Sequence, residues 1–221
     1  MKRTILAFFA ITLLLQACNN ETKNETATDS SNVNTSTASS DMKTEEKWVP
    51  MDTSKFGAAM QEYGTVGEPQ KLLAKANGNW NAQVIFWMTA NGKGDTSMST
   101  LTNRMIMGDR YQVTNFKGVM MGYPFEGTST TGFDNAKKMY TSSWIDNMST
   151  GIMYMEGPYD AATKTITFTG EGVSPVDGRT CNVKQVYRFV DDNTHVMEMY
   201  GPDPLTGVPF KNMLMTMTRK K

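Results

Sequence analysis

From Gly78 onward the chain alternates. In the stretch 78–88, Trp80, Ala82, Val84, Phe86 and Met88 are apolar, while Asn79, Asn81 and Gln83 stand between the first of them. A period of two marks a strand with one buried face. Similar segments follow at about 96–107, 110–117, 122–131, 138–145, 150–157, 164–171, 181–190, 195–200 and 209–219. Turn-forming residues separate them, among them Asn91-Gly92, Gly108-Asp109, Asp134-Asn135, Asp177-Gly178 and Asp191-Asp192-Asn193. About ten strands with short turns and no crossover helices predict antiparallel neighbours. Closing the meander removes exposed edges, so an all-β, up-and-down barrel is preferred to a sandwich.

Before Gly78 the pattern changes. Phe56, Met60 and Tyr63 share one face of a short helix that Ser54 would cap, although an ordered coil fits the same residues. A second helix has Pro69 in its first turn, Leu72, Leu73 and Ala76 as its apolar face, and Asn77-Gly78 as its stop. The two helices are expected to plug one end of the barrel. Residues 19–47 are rich in serine, threonine and asparagine and cannot bury enough surface to offset their ordering entropy. They read as a tether with a reach of roughly 30 Å. Residues 1–17 carry Lys2 and Arg3 followed by a short apolar run, the pattern of a signal peptide. The expected organisation is therefore 1–17 signal, 18–47 tether and 48–221 a single barrel domain with a helical lid.

The sequence Leu15-Gln16-Ala17-Cys18 resembles the lipobox of bacterial lipoproteins. That resemblance implies acylation of Cys18, a lipid membrane as partner and residence in the cell envelope. Asn19 after the cysteine implies sorting to the outer membrane. Composition excludes other addresses. The 22 basic and 22 acidic side chains balance, so no net field draws the chain to nucleic acid. A barrel spanning the bilayer would strand Lys137, Lys138, Lys184, Arg188 and Lys211 in lipid.

Gly78-Asn79-Trp80 near the start of the strands, with Arg219 near their end, resembles the calycin superfamily of lipocalins and fatty-acid-binding proteins. In that superfamily the tryptophan packs against the arginine at the closed end of the barrel. A larger set comprises Gly108-Asp109-Arg110-Tyr111, Gly122-Tyr123-Pro124-Phe125-Glu126-Gly127, Gly132-Phe133-Asp134-Asn135, Trp144-Ile145-Asp146 and Thr218-Arg219-Lys220. It is similar to the bacterial domain-of-unknown-function family numbered 1579, over about residues 67–221. The resemblance implies a calycin-like barrel and brings no activity.

Methionine is the unusual component. Met105/Met107, Met153/Met155, Met197/Met199 and Met213/Met215/Met217 each lie two apart, so each set is expected on one face of its strand. Thioethers fill irregular cores and suit adaptable apolar pockets. They also suit Cu(I), but no histidine neighbours them in sequence, and two cysteines with one histidine are too few for a Cys/His cage, so no metal or other cofactor is expected. The expected lining of a hydrophobic ligand site is Trp80, Phe86, Met105, Met107, Trp144, Met153, Met197, Met199, Met213 and Met215, with Glu126 and Glu198 as polar candidates. His195, beside a turn, is expected at the surface, and Cys181 is expected to be a buried small residue. No nucleophile elbow, phosphate loop or zinc-protease helix is present, so no catalytic residue is assigned. The leading expectation is a tethered lipoprotein whose barrel binds a small hydrophobic molecule. An envelope interaction module with a filled barrel is the alternative, and a barrel enzyme built around Glu126 or Glu198 is the third.

Overall fold

The computed structural model describes residues 48–221; the expected signal segment, Cys18 and the expected tether lie outside the described residues. Residues Pro50–Lys221 form one compact unit. A 3-10 turn at Thr53–Lys55 leads into α1 (Phe56–Tyr63), and α2 spans Glu68–Ala74. The strands are β1 (Gly78–Phe86), β2 (Asp95–Ile106), β3 (Tyr111–Met120), β4 (Tyr123–Asp134), β5 (Met139–Asp146) and β6 (Met153–Gly157). They continue with β7 (Tyr159–Asp160), β8 (Thr165–Val173), β9 (Thr180–Asp191), β10 (Thr194–Pro202) and β11 (Pro209–Arg219). Successive strands pair antiparallel. The first joins the last, Trp80 opposite Arg219 and Phe86 opposite Met213, and β6 joins β8 to shut the ring. The result is a closed ten-stranded up-and-down barrel, with the two-residue β7 lying beside β8. Among the described residues no helix is long and apolar enough to cross a membrane.

The alternation seen from Gly78 carries around the ring. Trp80, Ala82 and Val84 on β1 are buried while Asn79, Asn81 and Gln83 between them are exposed. The β3–β4 hairpin turns on Met121 and Gly122, both with positive φ (50° and 83°), the geometry a two-residue hairpin needs to match strand twist.

The two helices part company. In α2 the N–H of Gly67 donates to Gln70 Oε1 (2.8 Å), Pro69 sits in the first turn, and Gln70, Leu73 and the following Ala76 are buried against the barrel end. In α1 no residue is buried, and Phe56, Met60 and Tyr63 face outward, each 49% exposed or more. The expected pair of plugs is thus one plug and one external helix. Its start also differs: α1 has no side-chain cap, and Asp52 caps the 3-10 turn before it, accepting from the N–H of Ser54 at 3.0 Å. What holds α1 is its far end. Asn135 Nδ2 donates to the carbonyls of Tyr63 and Thr65 (2.8 Å each), and Arg110 Nε donates to that of Gly64 (3.1 Å).

Candidate functional site

The floor of the barrel is built around Trp80, which is 1% exposed. Its indole N–H donates to the carbonyl of Ala76 (2.9 Å), just past α2, and the Arg219 guanidinium lies 4.3 Å from the ring. That cation–π contact fixes one face of the guanidinium. Its edges donate to the carbonyls of Lys75, Asn77 and Asp192, so the last strand is bolted both to the segment after α2 and to the β9–β10 turn. Polar side chains finish the seal: Asn103 donates to Ala76 O (3.0 Å), Gln112 to Leu73 O (2.6 Å) and Tyr140 to Pro69 O (3.1 Å). The Leu73 and Ala76 carbonyls lie at and just after the C-terminal end of α2, where helical partners run out, whereas that of Pro69 lies in its first turn.

His195 belongs to this floor, contrary to its expected place at the surface. It is 2% exposed, its ring centroid lies 4.4 Å from that of Trp80 and 4.9 Å from that of Phe189, and Nδ1 is 2.7 Å from the Tyr187 hydroxyl. The reason is a register shift between Thr194 and His195, which sets His195 opposite Phe189 on one side and Met217 on the other. Burial, with the nearby Arg219 charge, pushes its pKa down to about 4, so the ring is neutral at neutral pH. Burial also pushes the Tyr187 hydroxyl well above the usual tyrosine range. The signal that places His195 inside was in the chain: it stands two residues before Met197 and four before Met199.

Above the floor, two apolar clusters occupy the wall. One centres on Val84, Leu101, Phe116, Phe125, Met215 and Met217. The other centres on Tyr140, Met155, Ile166, Phe168 and Phe189. Tyr187 packs against both. Of the expected lining, Trp80 and Met215 are buried, and Phe86, Met105, Trp144, Met153, Met197, Met199 and Met213 point inward by register while keeping partial exposure. Trp80 lines the floor rather than the mouth. Trp144 packs over Gly127, its diagonal neighbour across the hairpin, where a β-carbon would overlap the indole; its N–H donates to Asp146 Oδ2 at 2.9 Å.

Three expectations fail by position. Met107 is 71% exposed and sits in the β2–β3 turn with φ of 53°, so the strand ends before the pair can share a face. Glu126 lies between inward Phe125 and Gly127 and pairs outside with Lys117 (3.1 Å). Glu198 lies between inward Met197 and Met199 and pairs with Lys211 (2.9 Å), whose hydrogen bond holds its carboxyl below the usual range. Neither carboxylate faces the interior. Cys181, expected in the core, is half-exposed near the top of β9.

A second wall was not anticipated. Thr114, Ser129, Thr131 and Ser142 share the inward register on β3, β4 and β5, where Thr114 stands opposite Ser129 and Thr131 opposite Ser142. The last two hydroxyls lie 3.1 Å apart. On β2, the buried Ser99 Oγ and Asn103 Oδ1 have no hydrogen-bond partner. The interior therefore has a thioether flank on β10 and β11 and a hydroxyl flank on β3 to β5. Two open grooves lie on the outer wall, one beside Tyr154, Glu156, Lys184 and Tyr200, the other beside Lys117, Glu126 and Asn147.

With this geometry in place, comparison with known proteins settles the lineage. The profile of DUF1579, described as a protein of unknown function, matches residues 65–219. The chain belongs to the DUF1579 family. The family motif residues picked out from the sequence have structural duties here: Arg110 and Asn135 hold the end of α1, Gly127 makes room for Trp144, and Arg219 bolts the floor. No functionally curated protein sequence matches the chain. Among solved structures, Rv2717c from M. tuberculosis is similar over 71% of this chain and 100% of its own, with 10% identity and a TM-score of 0.54. The S-type phycobiliprotein lyase CPES from Guillardia theta is similar over 69% of this chain and 93% of its own, with 9% identity and a TM-score of 0.48. The likeness to Rv2717c is one of fold.

Proposed function

We propose that this protein holds a small hydrophobic molecule inside its barrel, in the bacterial cell envelope, tethered to a membrane, the outer membrane in this reading, through acylated Cys18. One observation carries the luminal part. Met197, Met199 and Met213 are inward by register, on neighbouring strands, yet each keeps accessible surface, which a solidly packed interior would remove. Flexible thioethers conform to an apolar ligand of irregular outline. The hydroxyls of Thr114, Ser129, Thr131 and Ser142 would meet a polar edge, so an acyl chain or lipid with one hydrogen-bonding flank fits better than a pure hydrocarbon. Anchoring by acyl chains requires no spanning helix.

Native mass spectrometry of protein extracted gently from its own membrane, paired with displacement of a fluorescent fatty acid, tests the reading. A retained lipid or saturable displacement is expected. Met199→Trp, which fills the interior, should abolish displacement while the protein still unfolds cooperatively. No retained molecule and no displacement would overturn it. The open grooves on the outer wall favour a second reading, an envelope interaction module with a filled barrel, in which a stoichiometric protein partner is captured and the lumen stays empty.

A further inference from the structure

The turns at the two ends of the barrel carry different surfaces, although the closed end also bears the exposed Phe56, Met60 and Tyr63 of α1. Five loops close the end opposite α2, and every one presents a large apolar side chain to solvent. Met88 in the β1–β2 loop is 63% exposed, Met121 in the β3–β4 turn 42%, Ile152 after β5 73%, Val176 between β8 and β9 91%, and Leu205 between β10 and β11 80%. At the closed end, the turns joining β2 to β3, β4 to β5, β7 to β8 and β9 to β10 carry Asp109, Arg110, Lys137, Lys138, Lys164 and Asp192, with Met107 their one exposed large apolar residue among those described.

Charge follows the same division. The five loops of the open end hold four charged residues, Lys93, Asp177, Arg179 and Asp203, which sum to zero. Asp177 and Arg179 pair with each other at 2.6 Å. Asp203 is turned in, accepting from the N–H groups of Ala90 (2.7 Å), Leu205 (2.8 Å) and Thr206 (3.2 Å), which latches the first loop to the last. Of those four side chains two cancel as an ion pair and Asp203 is buried, which leaves Lys93 as the one that faces solvent without a salt-bridge partner. An apolar rim of zero net charge with a single exposed unpaired charge complements an uncharged, apolar phase. The tips stand on separate loops around the mouth, a spacing that suits insertion into a fluid interface. They also continue the thioether flank, since Met213 and Met199 lie just inside the rim.

We infer that the open rim docks on the surface of a lipid bilayer, so that a hydrophobic molecule passes between membrane and lumen without crossing water. The purpose of this contact rests on the luminal reading; the contact itself does not.

The test uses the Pro50–Lys221 unit, which contains both core clusters and the whole ring and lacks the acylation site. Flotation with uncharged phosphatidylcholine vesicles should carry the unit upward, with little dependence on salt. Val176→Asp with Leu205→Asp should lower the partition coefficient about tenfold or more, from the apolar area withdrawn. Phe56→Asp with Met60→Asp, on the exposed face of α1, should leave it within about twofold. Near-ultraviolet circular dichroism checks that both variants are folded. Failure of the parent to float would overturn the inference, as would loss in the α1 variant with retention in the rim variant. A dimer that the rim substitutions dissociate, without any vesicle binding, would assign the rim to a second copy instead. Fatty-acid displacement in buffer separates the two readings: a parent that floats but binds no fatty acid refutes the luminal ligand and leaves the docking intact.

Discussion

The floor and the mouth are made from the same strands and differ in almost every other respect. At the floor a tryptophan, a histidine and an arginine are stacked, and backbone carbonyls after α2 are met by side-chain donors from β2, β3 and β11. At the mouth the inward residues are unbranched methionines with partial exposure, and the loops above them are apolar. Precision is concentrated where the barrel is shut and adaptability where it is open. The proposed ligand container would need that division, because a floor that yields would let the wall change its register, while a mouth that does not yield would admit nothing.

Substitutions at the two ends should separate accordingly. Trp80→Ala removes a fully buried indole and should cost about 3–5 kcal/mol in chemical denaturation; a cost near that of a surface residue would break the contrast. Acid should strike the floor next. The pKa of His195 lies near 4 in the folded state against 6.5 for the ordinary side chain. The unfolded chain therefore takes up the proton first as pH falls, and stability is complete above about pH 6.5 and lost progressively toward pH 4. The loss is on the order of 2–3 kcal/mol. His195→Gln should flatten the stability profile across that window, whatever it does to stability at neutral pH. Arg219→Lys keeps the charge but loses the planar fork that reaches three carbonyls, and should cost about 1–2 kcal/mol. The smallest change in stability belongs to the mouth: Met199→Ala should cost about 1 kcal/mol, because the side chain is partly exposed already. Its larger effect should be on fatty-acid displacement, weakened several-fold where Arg219→Lys leaves it unchanged.

Most of the wall was legible because a strand with one buried face writes its period into the sequence, and Pro69 with Asn77-Gly78 marked α2 equally plainly. The Trp80–Arg219 pair followed from the calycin resemblance. What misled was polarity read without register. The acidic turn before His195 suggested solvent, although its spacing from Met197 placed it inside. Thr114, Ser129, Thr131 and Ser142 carry no apolar signal, and only the cross-strand pairing shows them inside. Met107 broke its pairing because the turn at Gly108 begins one residue early. The stripe of α1 was real, but an amphipathic pattern says that a face is apolar, not what covers it.

The pairing of the first strand with the last has a consequence for how the molecule is made. While the ribosome is still adding β11, the nascent wall has raw edges on β1 and on its newest strand, each offering unpaired backbone groups to any passing chain. The cylinder cannot shut until β11, which carries Arg219, has emerged. The wall therefore gains its protection against aggregation only when the last of its strands is made, and a chain cut before β11 leaves a curl of sheet rather than a shorter barrel.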